Sequence, residues 1–207
     1  MRANGLRPSS VHLLESDVTK ALNCLHERFF ESETKQINLF ISGVGNVGKS
    51  LINQIEQQKK YIKTNLKIKL KVIGLSNSKK MTLEKDGIDL KDWDSILKNG
   101  EKSDPIGFFE ATKALNLRNS IFIDITASDL VTSNYALYLK HSIAVVACNK
   151  IACSSSIENY LDLKQLSHKY NVPFLFETNV GAGLPVIDTL KHLINSGDEI
   201  NTVHAVL

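Results

Sequence analysis

A glycine-rich segment has the composition of a phosphate-binding loop. Residues 43–50 read Gly-Val-Gly-Asn-Val-Gly-Lys-Ser. Gly43, Gly45 and Gly48 match the pattern G-x-G-x-x-G, which binds the pyrophosphate of a dinucleotide, and the same eight residues also match G-x-x-x-x-G-K-[ST], the loop of nucleoside triphosphatases. Both loops present backbone N–H groups at the start of a helix to phosphate oxygens. The segment therefore predicts a phosphate ligand and leaves two chemistries open, hydride transfer and phosphoanhydride hydrolysis.

Other short matches are compatible with a triphosphatase, but each one is incomplete. Asp124 ends an apolar run with a carboxylate, as a magnesium-binding strand would. Asn149-Lys150 matches the start of the guanine-binding sequence Asn-Lys-x-Asp, yet Ala152 stands where the aspartate is required. Ala127 likewise stands where a GTPase needs glycine. Because three closely spaced glycines also suit a tight turn better than a long open loop, the dinucleotide interpretation is favoured.

The segments that must position this loop alternate between apolar runs and amphipathic stretches. Near-continuous Val, Ile, Leu and Phe predict strands that are covered by helices on both faces of a parallel sheet. The alternation predicts an α/β fold, a Rossmann-like doubly wound and mostly parallel sheet, while residues 76–104 are predicted to form an excursion over the surface. The predicted strands are Ile37–Ser42, Ile68–Leu75, Ser120–Thr126, Ser142–Cys148 and Pro173–Glu177. The predicted helices are Asn46–Lys60, Asp92–Lys98, Pro105–Leu115, Asp129–Leu139, Ser156–Tyr170 and Pro185–Asn195.

The glycine segment lies in the context that a dinucleotide motif requires, because it follows an apolar strand and opens a helix. Gly43 permits the tight turn, Gly45 lets the pyrophosphate approach the backbone, and Gly48 lets the helix pack against the strand. The helix dipole then favours the phosphates.

The residues after the second predicted strand bear on the choice of nicotinamide cofactor. An NAD site places Asp or Glu there to bind the ribose 2′-OH, whereas this chain has Ser76-Asn77-Ser78-Lys79-Lys80. Hydroxyl, amide and ammonium groups are suitable donors to a 2′-phosphate. We therefore expect NADP(H) to bind at least as well as NAD(H), with a solvated loop as the alternative role of the two lysines.

Composition excludes several other classes of protein. The chain of 207 residues is 43% hydrophobic and 23% charged, which suits a packed core. Its net charge of +3 is too small to indicate nucleic acid as a partner. No apolar run approaches the ~20 residues of a membrane span, so no membrane partner is expected. Three cysteines without metal-binding spacing predict reduced thiols in a cytoplasmic protein.

Longer segments resemble homoserine dehydrogenases. The twelve residues 176–187, Phe-Glu-Thr-Asn-Val-Gly-Ala-Gly-Leu-Pro-Val-Ile, look like the signature segment of that family. Residues 145–150 resemble the strand and Asn-Lys pair that precede it, and residues 74–78 and 123–128 resemble two cofactor-facing strand ends. The resemblance runs from about residue 36 to residue 207, in the same order and spacing. It implies an oxidoreductase of threonine and methionine biosynthesis that interconverts aspartate 4-semialdehyde and homoserine with NADP(H), or alternatively NAD(H).

The resemblance also implies roles for individual residues. Lys150 ends the fourth strand and matches a lysine of the family's active site, where an ammonium can polarise or protonate the developing alkoxide. A capping or salt-bridged surface lysine is the alternative. The residues expected at the pyrophosphate are Gly43, Gly45, Asn46, Val47 and Gly48; those beside the adenosine ribose are Ser76, Asn77 and Ser78; and those at the nicotinamide half are Thr126, Ser128 and Lys150.

The signature segment further implies a monovalent cation, Na⁺ in this interpretation. Glu177 and the backbone carbonyls of Val180, Ala182 and Leu184 match the loop that encircles such an ion in the family. Oxygen ligands suit a hard cation. The alternative is a helix-entry turn that is stabilised by its own hydrogen bonds.

The resemblance implies that the sequence is part of a longer enzyme. Residues 11–31 have helical spacing, and residues 1–35 as a whole resemble the end of the regulatory region in bifunctional aspartokinase–homoserine dehydrogenases. Residues 36–207 would be the dinucleotide-binding domain, with the substrate and dimerisation domain following residue 207. We therefore expect a homo-oligomeric complete enzyme with a small-molecule substrate, and no appreciable homoserine oxidation by this chain alone. A second hypothesis is a dinucleotide-binding module that never catalyses.

Overall fold

Seven strands form one mixed sheet in the computed structural model, which describes residues 34–204 together with Val18 and Ala21. Of the predicted helical tail, residues 1–35, only Val18, Ala21, Thr34 and Lys35 are described, and Cys24 lies outside the described residues. In chain order the strands are β1 (Lys35–Ser42), β2 (Ile68–Ser76), β3 (Lys80–Leu83), β4 (Glu101–Lys102), β5 (Ser120–Asp124), β6 (Ala144–Ala147) and β7 (Phe174–Leu175). Their spatial order is β4-β3-β2-β1-β5-β6-β7.

The five predicted strands are the parallel ones, and the Rossmann-like fold is confirmed. β1 pairs in parallel with β2 on one side and with β5 on the other, and β6 and β7 continue the parallel order. After β1 the chain adds β2, β3 and β4 on one side of that strand, and it then adds β5, β6 and β7 on the other side. The strand order therefore reverses direction between β1 and β5. Ligands of open α/β sheets bind at such a switch point, outside the carboxyl ends of the strands.

Helices cover both faces of the sheet. They are α1 (Asn46–Asn65), α2 (Trp93–Lys98), α3 (Pro105–Leu115), α4 (Asp129–Thr132), α5 (Tyr135–Lys140), α6 (Ile151–Ser154), α7 (Ile157–Lys169) and α8 (Val186–Asn195), with a 3₁₀ turn at Glu177–Asn179. Within the described residues, none of them combines the length and apolar character needed to cross a membrane.

The strands are apolar throughout because successive side chains enter two different cores. In β1, Leu39 and Ile41 pack into the cluster that contains residues of α1 and α2. Phe40, between them, packs into the cluster that contains residues of α3, α5 and α7. Alternation along a strand sends neighbours to opposite faces, so burial on both faces requires a continuous apolar run.

The prediction that residues 76–104 form an excursion over the surface is wrong, because this segment belongs to the sheet and to the core. It contributes β3 and β4, which extend the sheet in antiparallel pairing beyond β2. Ile88, Trp93 and Leu97 from this segment are buried in the core beside α1. The pattern missed these elements because β3 and β4 span only four and two residues, too few to show a period.

Several predicted boundaries also move. The predicted helix Asp129–Leu139 is split into α4 and α5, because the side chains of Ser133 and Asn134 both donate hydrogen bonds to Leu130 O and compete with the helical pattern. The predicted strand Ser120–Thr126 ends at Asp124, whose Oδ1 accepts a hydrogen bond from Thr126 N at 2.7 Å and turns the chain out of the sheet. The last two predicted strands, Ser142–Cys148 and Pro173–Glu177, are also shorter in the structure, where they span Ala144–Ala147 and Phe174–Leu175.

Candidate functional site

The glycine segment forms a tight turn between β1 and α1. Gly43 has φ of +100°, and a Cβ there would lie 2.6 Å from the carbonyl carbon of Ile125. A Cβ at Gly48 would lie 2.1 Å from Gly43 O, so the first turn of α1 packs directly on the turn backbone. A Cβ at Gly45, in contrast, would meet nothing within 4 Å. The first and third glycines are thus required by packing, and the middle one keeps open the space in front of the loop.

The start of α1 is suited to an anion. Gly45 occupies the N-cap position, no side chain caps the helix, and its first turn contains no acidic residue. The backbone N–H groups of Asn46, Val47 and Gly48 begin the helix, where orphan donors and the helix dipole favour negative charge. Lys49 and Ser50 are exposed residues of the same helix. The turn is the compact form of the motif, which argues against a triphosphatase loop.

A groove of about 840 Å³ lies at the carboxyl edge of the sheet beside β1, β2 and β5. The apolar residues that line it include buried Phe108, Phe122 and Tyr138 and exposed Leu130. Seven of the predicted cofactor-binding residues line it: Gly43, Gly45, Ser76, Asn77, Ser78, Thr126 and Ser128. Asn46, Val47, Gly48 and Lys150 are not among the lining residues. The glycine turn and the loops after β2 and β5 therefore line one groove, and the role of these residues in cofactor binding stays a prediction.

The loop after β2 is shaped by its own polar side chains. Ser76 is buried and its hydroxyl donates to Ser42 Oγ at 3.0 Å, while Gly43 N donates to Ser76 O at 2.8 Å. Asn77 Oδ1 accepts from the backbone N–H groups of Lys79 and Lys80, each at 2.7 Å. These contacts tie the loop to the glycine turn and leave Ser78 as an exposed hydroxyl in the groove.

The two lysines of this loop differ in position. Lys80 Nζ donates to Gly100 O at 2.8 Å and so fastens the loop to the turn before β4. Lys79 is exposed and lines the groove. No Asp or Glu is among the described residues that line it. Lys79, and not Lys80, is therefore the cation that a ligand in the groove would meet.

A buried carboxylate holds the loop after β5. Asp124 is fully buried, and its Oδ2 accepts from Tyr135 Oη at 2.6 Å while its Oδ1 accepts from Thr126 N. Burial, reinforced by the negative charge of Asp124, raises the pKa of the Tyr135 hydroxyl above its ordinary value. That hydroxyl therefore stays a neutral donor. Because the Asp124 carboxylate is fully buried and bonded to Tyr135 and Thr126, it is not placed to bind magnesium. The candidate magnesium-binding strand of the triphosphatase interpretation is therefore not supported.

Asn149 is a buried residue to which the sequence alone gave no role of its own, although it belongs to the Asn-Lys pair of the family resemblance. Its Nδ2 lies 3.2 Å from Asp124 Oδ2, 3.3 Å from Thr126 Oγ1 and 3.2 Å from Ser128 O. Its Oδ1 accepts from Ile151 N at 3.1 Å. The side chain thus joins the loop after β5 to the first turn of α6. The sequence signals were an amide at the end of an apolar strand, beside a candidate catalytic lysine, and its place in the Asn-Lys pair of the resemblance.

Lys150 lies at the N-cap position of α6 and is exposed at the carboxyl edge of the sheet. Its side chain makes no capping hydrogen bond. None of the ion pairs within residues 34–204 includes it. Both forms of the alternative role, capping and salt bridging, therefore lack support, and the catalytic role stays a prediction.

The signature segment forms the entry to α8. Glu177 accepts hydrogen bonds from Ile187 N at 2.9 Å and from Asp188 N at 2.8 Å, so its carboxylate caps the helix. Leu184 O accepts from Val186 N at 2.9 Å. These bonds are those of the predicted alternative, a self-stabilised turn, and they use part of the acceptor capacity of two predicted cation ligands.

The same segment retains oxygens without donors. The carbonyl oxygens of Val180 and Ala182 accept no hydrogen bond from any described residue. Asn179 Oδ1 is buried without a hydrogen-bond partner in this part of the chain. Ala182 also adopts φ of +50°, a left-handed conformation that is strained for a residue with a side chain. Unpaired oxygens and backbone strain in one turn are consistent with a bound cation.

Comparison with known proteins agrees with this geometry. The family model for the homoserine dehydrogenase NAD binding domain matches residues 43–177. Bifunctional aspartokinase/homoserine dehydrogenase 1, chloroplastic, from Arabidopsis thaliana is 36% identical over 199 residues, covering 95% of this chain and 22% of the relative. The bifunctional aspartokinase/homoserine dehydrogenase of Haemophilus influenzae is 34% identical over 202 residues, covering 97% and 24% respectively. The chain thus spans about a quarter or less of these relatives.

A solved structure supports the fold. A hyperthermophilic archaeal homoserine dehydrogenase in complex with NADPH superposes with a TM-score of 0.61 at 23% identity, covering 75% of this chain and 48% of that protein. The family match begins at the first glycine of the turn and ends at Glu177. It includes all three loops that line the groove, and the resemblance found in the sequence is confirmed. The chain belongs to the homoserine dehydrogenase NAD-binding domain family.

Proposed function

We propose that this chain is the NADP(H)-binding portion of a homoserine dehydrogenase, which in the complete enzyme interconverts aspartate 4-semialdehyde and homoserine. The observation that carries the proposal is the convergence of the glycine turn and the loops after β2 and β5 on one groove at the switch point of the sheet. The complete enzyme is further proposed to be a homo-oligomer with this small-molecule substrate.

The roles of the residues follow from their positions. The N–H groups of Asn46 to Gly48 bind the pyrophosphate at the start of α1. The apolar wall beside Phe108 and Leu130 suits the adenine ring, and the loop after β2 binds the adenosine ribose. Thr126 and Ser128 hold the nicotinamide half, and Lys150 stabilises negative charge on the substrate oxygen. When bound, the nicotinamide supplies or accepts the hydride.

Hydrogen–deuterium exchange with and without NADPH tests this assignment directly. We expect slower exchange in residues 43–48, 76–79 and 126–128, because these backbone segments would be covered or ordered by the cofactor. Exchange in α7, none of whose residues lines the groove, serves as the internal control. Protection that spares the glycine turn would contradict the proposal.

The absence of a carboxylate from the described groove lining and the exposure of Lys79 support NADP(H) over NAD(H). We expect Lys79→Ala to raise the Kd for NADPH about tenfold and to leave that for NADH within about twofold, because hydrogen bonds to charged groups contribute ~1.5–3 kcal/mol. Lys80→Ala is the matched control, since that lysine is fastened to Gly100 O. Titrations of both nucleotides check this, and a strong preference of the unaltered chain for NADH would refute it.

The unpaired oxygens around Asn179 support a monovalent cation bound by Glu177 and the carbonyls of Val180, Ala182 and Leu184. Na⁺ should raise the thermal unfolding temperature relative to choline at equal ionic strength, because an ion that binds only the folded state stabilises it. Glu177→Gln should abolish this difference while keeping the side-chain volume. Equal unfolding temperatures in the two salts would exclude the site.

A further inference from the structure

The Thr126 hydroxyl accepts hydrogen bonds from its neighbours and is left to act as a hydrogen-bond donor. Thr126 Oγ1 accepts from Ser128 N at 3.2 Å, and Asn149 Nδ2 approaches the same oxygen at 3.3 Å. A hydroxyl has two acceptor lone pairs and one hydrogen. Asn149 Nδ2 has two hydrogens for three acceptors, so its bond to Thr126 is a shared one. With N–H donors facing both lone pairs, the Thr126 hydroxyl is left to donate. Thr126 is half-buried and lines the groove, and its hydroxyl donates to no described residue, so the acceptor is a ligand atom or solvent.

The orientation of Asn149 is itself fixed on both sides. Its Oδ1 accepts from Ile151 N, so the amide group cannot rotate by half a turn without losing that bond and placing Oδ1 against the Asp124 carboxylate. Nδ2 must therefore point towards residues 124–128, where it meets three oxygen acceptors. Packing alone would not require this residue, because an apolar side chain of similar volume would also fill a site that is 2% exposed.

We infer that Asn149 is a positioning residue: it holds the Thr126 hydroxyl as a hydrogen-bond donor that points into the groove, towards an acceptor atom on the nicotinamide half of the cofactor. This inference rests on the proposed function, because that function assigns the nicotinamide half to the loop after β5. Asn149 acts through Thr126 and does not itself touch the cofactor. The adenosine half, which lies along the loop after β2, is independent of this contact.

Two ligands separate the two halves of the site. NADPH contains the nicotinamide half, whereas 2′,5′-ADP lacks it and retains the adenosine with its 2′-phosphate and the adenosine-side phosphate of the pyrophosphate. Thr126→Val removes the hydroxyl at constant shape and should raise the Kd for NADPH roughly fivefold to tenfold, leaving that for 2′,5′-ADP within about twofold, as expected for one hydrogen bond. Thr126→Ser keeps the donor and should bind NADPH within about twofold of the unaltered chain.

Asn149→Leu should reproduce the effect of Thr126→Val on NADPH, because the freed Thr126 oxygen no longer forces its hydrogen into the groove. The double variant should then be no weaker than either single variant, the signature of two residues that act through one contact. Tyr135→Phe is the matched control: it removes another hydrogen bond of Asp124 without touching Thr126. It should lower stability and leave the ratio of the two dissociation constants unchanged.

The binding measurements distinguish a failure of the positioning inference from a failure of the proposed function. If Thr126→Val weakens NADPH and 2′,5′-ADP equally, or changes neither, the inference is wrong although the proposed function stands. If the unaltered chain binds neither ligand, the proposed function falls and the inference falls with it. An Asn149→Leu variant that folds and binds NADPH as the unaltered chain does would also overturn the inference. Should that variant fail to fold, Asn149→Ala, which likewise lacks Nδ2, takes its place.

Discussion

Gly48→Ala is expected to destabilise the domain and to abolish nucleotide binding. The added Cβ would lie 2.1 Å from Gly43 O, a backbone atom that cannot move without opening the turn. The helix α1 must then shift away from β1, and its first N–H groups lose their direction towards the groove. We expect a loss of roughly 2–4 kcal/mol in the free energy of unfolding, typical of severe overpacking, and at least about a hundredfold in NADPH affinity. Urea denaturation and NADPH titration measure the two effects.

Gly45→Ala is the matched control because it separates binding from folding. A Cβ at that position meets nothing within 4 Å, and Gly45 has φ of −71°, which any residue can adopt. The stability of this variant should therefore stay close to that of the unaltered chain. Its methyl group nevertheless occupies the space in front of the loop, so NADPH affinity should fall. If Gly48→Ala folds and binds as well as the unaltered chain does, the packing argument is wrong.

Lys150→Ala in the complete enzyme is expected to reduce turnover by about a hundredfold to a thousandfold, the loss typical of removing one donor to a developing oxyanion. The Kd for NADPH should change little, because Lys150 does not line the groove. Steady-state kinetics combined with cofactor titration separate these two quantities. Lys140→Ala, which alters an exposed lysine at the end of α5, is the control. Unchanged turnover would remove Lys150 from the mechanism.

The parts of the fold that the sequence predicts well are those with local causes. The apolar run of β1, the glycines after it and the helix that begins at Asn46 form one continuous pattern, and the structure has each of them at the predicted place. The break between α4 and α5 was missed because it depends on Ser133 and Asn134 competing for one carbonyl oxygen, a choice that helical periodicity does not encode.

The parts of the site that were missed depend on contacts between distant residues. Asn149 meets Asp124 across 25 positions of the chain, and Tyr135 meets the same carboxylate across 11. No spacing rule predicts such a meeting. The distinction between Lys79 and Lys80 has the same origin, since it depends on a bond from Lys80 to Gly100 O, 20 residues away. Composition indicated the kind of group in each loop, whereas the fold shows which of these groups lines the groove.

The groove beside the glycine turn is expected to bind a nicotinamide dinucleotide and not a nucleoside triphosphate. Fluorescence titration of this chain with NADPH, alongside GTP with Mg²⁺, tests it most directly. We predict saturable binding of NADPH with one site per chain, displacement by NADP⁺, and no competition from GTP with Mg²⁺. Binding of GTP with Mg²⁺ in place of NADPH, or the absence of NADPH binding by the folded chain, would contradict the assignment of a nicotinamide dinucleotide to this groove.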